Sequence, residues 1–237
     1  MEIPDVAGQG AVARYPAPGD TRGGRFAVAG ILFLLAMVSA VCIRPDYRIL
    51  GGGEPMAIAE NLVREGAFGN PFIVSARTGP TAHVAPLYPA FLALLLWLFP
   101  GQAAPVYCMI FVHGLHAAVL PSVSRLLFGR GAPGLYAAAL AIGLPVFAIL
   151  PIWDAMYTAT GLMLFGLFSA WVVERTRSPW LAGGAAGLPG AALLLMNPAG
   201  LPVLIGWVLL ITAKKYRALK PVGLFAAVFA FTLAAGC

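Results

Sequence analysis

The sequence predicts an all-α protein, a polytopic bundle of membrane-spanning helices, and three observations carry that prediction. Apolar residues make up 60% of the 237 residues and charged residues 10%, against about 45–50% and about 25% in soluble domains. Mean hydropathy is +0.87, so there is too little charge to cover a water-facing surface of this size. The apolar residues also gather in runs close to the roughly 20 that a helix needs to cross about 30 Å of hydrocarbon. These features exclude a soluble domain. The net charge of +6 reads as cytoplasmic loops of a membrane protein, not as a nucleic-acid surface.

Residues 1–21 are rich in Gly, Pro and Ala without periodicity and read as a disordered cytoplasmic tail ahead of one membrane domain over 22–237. The first apolar run, Phe26 to Ile43, follows Arg14, Arg22 and Arg25. Val38-Ser39-Ala40 resembles a signal-peptidase site, but the long stretch before it favours a retained first helix. Residues 44–103 form one large loop. Within it, Pro55 to Arg64 has helical apolar spacing at Met56, Ala59, Leu62 and Val63, ended by Gly66, and suits a short interfacial helix. The run Leu87 to Phe99 is thirteen residues long, which fits a re-entrant or interfacial segment better than a span. Further helices are expected at about 104–124, 133–152, 157–173, 180–197, 200–213 and 221–237, giving seven spans. The last run reaches Cys237 without a flanking loop, and reads as a chain incomplete at its C-terminus.

Charge decides the path of the short run. If it does not cross, Arg14, Arg22, Arg25, Arg125, Arg130, Arg175, Arg177, Lys214, Lys215, Arg217 and Lys220 share one side, and Arg44, Arg48, Arg64 and Arg77 the other. If it crosses, every later loop swaps sides and the balance reverses. The positive-inside rule selects the first arrangement. The N-terminus is then cytoplasmic, and residues 44–103, the Trp153-Asp154 turn and the Asn197-Pro198 turn are external.

Polar residues with chemical potential collect on that external side. Glu54 lies between Gly51-Gly52-Gly53 and Pro55 at the start of the short helix. It reads either as a helix cap or as a carboxylate held at the membrane surface, able to act as a general base. Arg77 directly precedes the proline-rich stretch Thr78 to Pro89 and His83 lies within it, near the headgroups. There they pair with a lipid phosphate, or Arg77 merely snorkels and His83 caps a turn. Asp154 is an N-cap or a site acid. His113 and His116 share a helix face without a third ligand, so no metal site is assigned. Trp97, Trp153, Trp171, Trp180 and Trp207 mostly fall near helix ends, as an aromatic belt would. Cys42, Cys108 and Cys237 read as small buried hydrophobes. No P-loop, G-x-G-x-x-G, G-x-S-x-G or H-E-x-x-H occurs.

The segment EPMAIAENLVREGAFGNPF, the step GPTAHVAPLYPAFLALL and the later Leu127-Phe128-Gly129 with flanking arginines resemble the membrane glycosyltransferases of the GT-C fold. The closest group is the bacterial branch similar to protein O-mannosyltransferases and lipid A aminoarabinose transferases. The resemblance runs over about residues 25–215, and residues 54–89 carry most of it. It implies a bacterial inner-membrane enzyme that moves a sugar from a polyprenyl-phosphate carrier to an external acceptor. Glu54 is then the match for the loop carboxylate that acts on the acceptor hydroxyl, with Asp46 in reserve. The resemblance further implies Asp154 as the second-loop acid, and Arg77 and His83 near the lipid phosphate. Relatives often carry Asp or Asp-Glu at this step, where Gly53 precedes Glu54 here. No cofactor is fixed, and a divalent cation is left open. The rival readings are a non-catalytic or truncated membrane subunit and a lipid or solute transporter.

Overall fold

The computed structural model describes residues 21–43, 53–70, 79, 84–99, 103–144, 154–215 and 219–236, with the backbone alone at 22, 43, 219–221, 225 and 232–236. Among the described residues every regular element is a helix. Five are long and apolar enough to cross a membrane: Gly23–Cys42, Ala103–Phe128, Ala155–Arg175, Pro179–Met196 and Pro198–Lys215. Leu87–Leu98, Ala132–Gly143 and Val222–Phe231 are shorter apolar helices. The expected span at 133–152 is described only as far as Leu144, and Asp46, Arg77, His83, Trp153 and the N-terminal tail to residue 20 lie outside the described residues.

In chain order, α1 is Arg22–Ile43, α2 Glu54–Glu65, α3 Leu87–Leu98, α4 Ala103–Phe128, α5 Ala132–Gly143, α6 Ala155–Arg175 and α7 Pro179–Met196. A 3₁₀ turn over Pro198–Gly200 leads into α8 Leu201–Lys215, and α9 is Leu219–Gly236. The amphipathic helix forms where its spacing places it. Pro55 sits in the first turn, and Gly66 ends the helix with φ 67°, its N–H bonded to the Leu62 carbonyl. Its apolar face does not lie open at the interface. Met56 and Ala59 are buried in a cluster with Tyr88 and Leu92 of α3, and Ile58 is buried where Val63 was expected.

The helices alternate in direction, and named contacts fix which ends meet. Ala40 near the end of α1 joins the α2–α3 cluster, and Ala36 packs with Ala117 and Ala138, so α1 and α4 run antiparallel. Ser39 Oγ donates to the Ile142 carbonyl at 2.8 Å, tying α1 to the end of α5. α5 lies directly on α4: a Cβ at Gly134 would land on the Leu120 carbonyl and the Pro121 Cα. At the opposite end the Lys214 ammonium donates to the Leu126 carbonyl, joining the C-termini of α8 and α4.

These contacts give the bundle two chemically different ends. One carries Arg25, Arg125, Arg130, Arg175, Arg177, Lys214 and Lys215; the other carries Glu54 and Asp154. Of the Lys and Arg positions described, Arg64 alone lies at the acid end, 3.9 Å from Glu60. α3 starts and finishes at the acid end. Tyr88 begins it there, and α4, which follows, opens with Pro105, whose carbonyl accepts from Tyr157 one turn from Asp154. Twelve residues make a helix about 18 Å long, and its neighbours place both of its termini at the acid end.

Two sequence expectations change here. Trp207 belongs to no belt: it is 7% exposed and packs where Gly166 lacks a side chain, whereas Trp97, Trp171 and Trp180 are exposed. Cys42 is exposed from the protein body and Cys108 is partly buried, because α1 turns its Val38–Val41 side outward, toward lipid.

Two predictions follow from this packing. Gly134→Val forces α5 off the α4 backbone and destabilises the protein by about 1–3 kcal/mol, read as a lower midpoint in detergent melts. In a cysteine-free background, Arg64→Cys and Lys215→Cys react with a membrane-impermeant maleimide from opposite sides of the membrane; reaction from the same side contradicts the two-ended bundle.

Candidate functional site

At the acid end, the starts of α2, α3 and α6 and the turn after α7 surround a cavity of about 460 Å³. Each wall follows from local sequence. Gly53 is extended (φ −87°, ψ 154°) and its carbonyl accepts from the Met56 and Ala57 N–H groups. Glu54 therefore enters the first turn, where the positive end of the helix dipole favours its charge. Pro86 then opens α3, which puts Tyr88 into the wall.

Tyr88 is 1% exposed and its ring lies 5.3 Å from that of Tyr157. Tyr157 is anchored in turn by a 3.4 Å bond from its hydroxyl to the Pro105 carbonyl. Among the described residues the buried Tyr88 hydroxyl has no hydrogen-bond partner. An orphaned hydroxyl of this kind costs stability, so it marks a place where the wall is not optimised for packing alone.

Asp154 stands at the N-cap position of α6, and its backbone carbonyl accepts from Thr158 N–H at 2.7 Å. Its side chain makes no cap, which corrects the capping reading. The carboxylate instead meets the Asn197 side chain. Asn197 is held in the wall by the Asn-Pro turn, where its Oδ1 accepts from Ala199 N–H at 2.9 Å. Burial raises the Asp154 carboxyl above the usual carboxylate range, while the bonds from Asn197 and from its own backbone pull the other way.

The structure thus brings together two acids that are about 100 residues apart in sequence. Asn197, Tyr88 and Met196 share the cavity, and none was singled out as a site residue from sequence. The Asn-Pro dipeptide between two apolar runs was the available signal for Asn197. The described walls contain no Lys or Arg, so they offer oxygen acceptors and suit hydroxyl-bearing or cationic groups. Among the described residues no group of three or more His, Cys, Asp or Glu gathers to hold a metal ion. His116 lies away from this site within α4, its Nδ1 3.1 Å from Thr160 Oγ1 of α6.

No protein-family model matches the chain, and neither a curated protein nor a solved structure matches it.

The raised Asp154 value carries a sign. The folded protein holds this proton more readily than the unfolded chain, so ionising Asp154 costs stability. That cost is full above the folded-state value, shrinks as pH falls through it, and is gone below the ordinary carboxylate range of about 4. Asp154→Asn is therefore expected to melt higher than wild type at neutral pH, with the difference vanishing in acid; thermal melts across pH check it.

Proposed function

We propose that the chain is a polyprenyl-phosphate-dependent glycosyltransferase of the GT-C type, acting at the external face of a bacterial inner membrane. One observation carries the reading: Glu54 and Asp154 line a single cavity at the bundle end opposite the basic helix termini. By the positive-inside rule the basic end is cytoplasmic, which makes the cavity external, where a polyprenyl-linked sugar and its acceptor meet.

The reaction needs a base on the acceptor, stabilisation of the departing phosphate, and two substrates held in line. Glu54 takes the proton of the acceptor hydroxyl. The acceptor oxygen forms its bond to the anomeric carbon as the bond from that carbon to the phosphate oxygen breaks, and the electron pair leaves with the phosphate. Glu54 then returns its proton to solvent. Asp154, oriented by Asn197, accepts from a sugar hydroxyl and fixes the ring. Arg77 and His83, by the family resemblance, meet the phosphate, and Asp46 is the reserve base.

The test is transfer from a radiolabelled polyprenyl-phosphate sugar in membranes containing the chain. Glu54→Gln is expected to lower the rate by about 100- to 10,000-fold, the range for a general base, without lowering the melting midpoint. Transfer that persists at the wild-type rate removes Glu54 as the base.

A further inference from the structure

Tyr88 carries a hydroxyl that its packing does not explain. Its ring is held against that of Tyr157 at 5.3 Å. Tyr157 is itself fixed, because Phe91 packs edge-on against it at 5.7 Å and its hydroxyl is bonded to the Pro105 carbonyl. The Tyr88 hydroxyl therefore cannot swing out to water. Phenylalanine would fill the same space and spare the protein a buried polar group that is unpartnered among the described residues, at a gain in stability. A fixed, orphaned hydroxyl in a cavity wall calls for an explanation, and a ligand supplies one.

The other polar groups of the described walls indicate which ligand. Glu54 and Asp154 are carboxylates, and when ionised they only accept. The Asn197 side chain is already engaged with Asp154 and with Ala199 N–H. Among the described walls Tyr88 thus brings the one side-chain donor that has made no bond. Burial first, then the charge of Asp154 and then Cys108, push its phenol above the ordinary tyrosine range, so the proton stays on the oxygen. Asp154 is near enough to act on Tyr88 through space, yet no hydrogen bond joins them. The space between them has a donor on one side and an acceptor on the other.

We propose that Tyr88 and Asp154 form a subsite for one neutral hydroxyl of the ligand, which accepts from the Tyr88 phenol and donates to the Asp154 carboxylate. That this hydroxyl belongs to a sugar rests on the glycosyl-transfer reading; the subsite itself rests on the two side chains. The cavity of about 460 Å³ lies within the roughly 300–1,000 Å³ of small-molecule sites.

Tyr88 gives the subsite its specificity. An ammonium group has three donors and no acceptor, so it satisfies Asp154 but leaves the phenol proton buried and unpaired. A hydroxyl satisfies both. Sites built to bond a hydroxyl discriminate against analogues that lack it, because their own polar groups are then stranded. Two acids alone would favour a cation; the phenol shifts the balance toward a hydroxyl.

The experiment titrates the full chain in lipid nanodiscs near neutral pH with the methyl glycosides of mannose, glucose and galactose. Binding is read as a rise in melting midpoint, and at least one glycoside is expected to protect. Without sugar, Tyr88→Phe is expected to melt at or above the wild-type midpoint, since the orphaned hydroxyl is gone. It should bind the protecting glycoside about three- to tenfold more weakly, the scale of one hydrogen bond. Monodeoxy analogues of that sugar then locate the hydroxyl. At one position the deoxy sugar loses a similar factor against wild type and nothing against Tyr88→Phe, the non-additivity of a direct contact. The amino analogue at that position should bind Tyr88→Phe no worse than wild type. Asp154→Ala, on the other side of the hydroxyl, should cancel the same deoxy penalty.

A Tyr88→Phe midpoint well below wild type, deoxy penalties that survive unchanged in both variants, or no protection by any of the three glycosides overturns the proposal. The outcomes also separate the two readings. This binding pattern in a protein that transfers no sugar from a polyprenyl-phosphate donor keeps the subsite and removes the transferase. Transfer by a protein whose glycoside binding ignores Tyr88→Phe removes the subsite alone.

Discussion

Within a bilayer every peptide N–H and C=O has to find its partner inside the chain, and each one left over costs several kcal/mol. That constraint makes helices the form available to the long apolar runs of this protein, and it confines irregular backbone and charge to the two ends. Everything chemical about the molecule follows from how those ends differ. Basic residues end α4, α6 and α8 at one side, where Lys214 also caps the exposed Leu126 carbonyl, a favourable place for a cation at a helix C-terminus. The other side receives the starts of α2, α3 and α6 and with them the two acids.

The short helix α3 turns this polarity into a site. A full-length span in its place would have sent α4 the other way and carried Asp154 to the opposite end from Glu54. With both termini at the acid end, α3 packs Leu92 beneath α2 and presents Tyr88 to the cavity. Pro86 at its N-cap and the tyrosine ring pair hold it there. The cavity is thus a by-product of length matching: one segment of the chain fails to span, and polar residues from both sides of that failure come together.

Much of this was legible in the sequence. The bounds of α2 follow from Pro55 and Gly66, the short reach of α3 from the run before Pro100, and the grouping of basic loops from charge alone. Other features were hidden because they depend on which helix meets which. Hydropathy gives a helix's length and its apolar face but not its neighbour. Trp207, grouped with the belt tryptophans, lies at the middle of α8 and fills the slot that Gly166 offers. Asp154 reads as a cap until Asn197 arrives from 43 positions further along to bond it.

The central claim is that Glu54 and Asp154 face one cavity at one end of the bundle. Spin labels at positions 54 and 154 in reconstituted protein measure this directly by dipolar spectroscopy. The account predicts one short distance distribution, well below the hydrocarbon thickness of about 30 Å, and a distance between labels at 54 and 215 at or above that thickness. A 54–154 distance as long as the 54–215 distance would place the acids at opposite ends and contradict it.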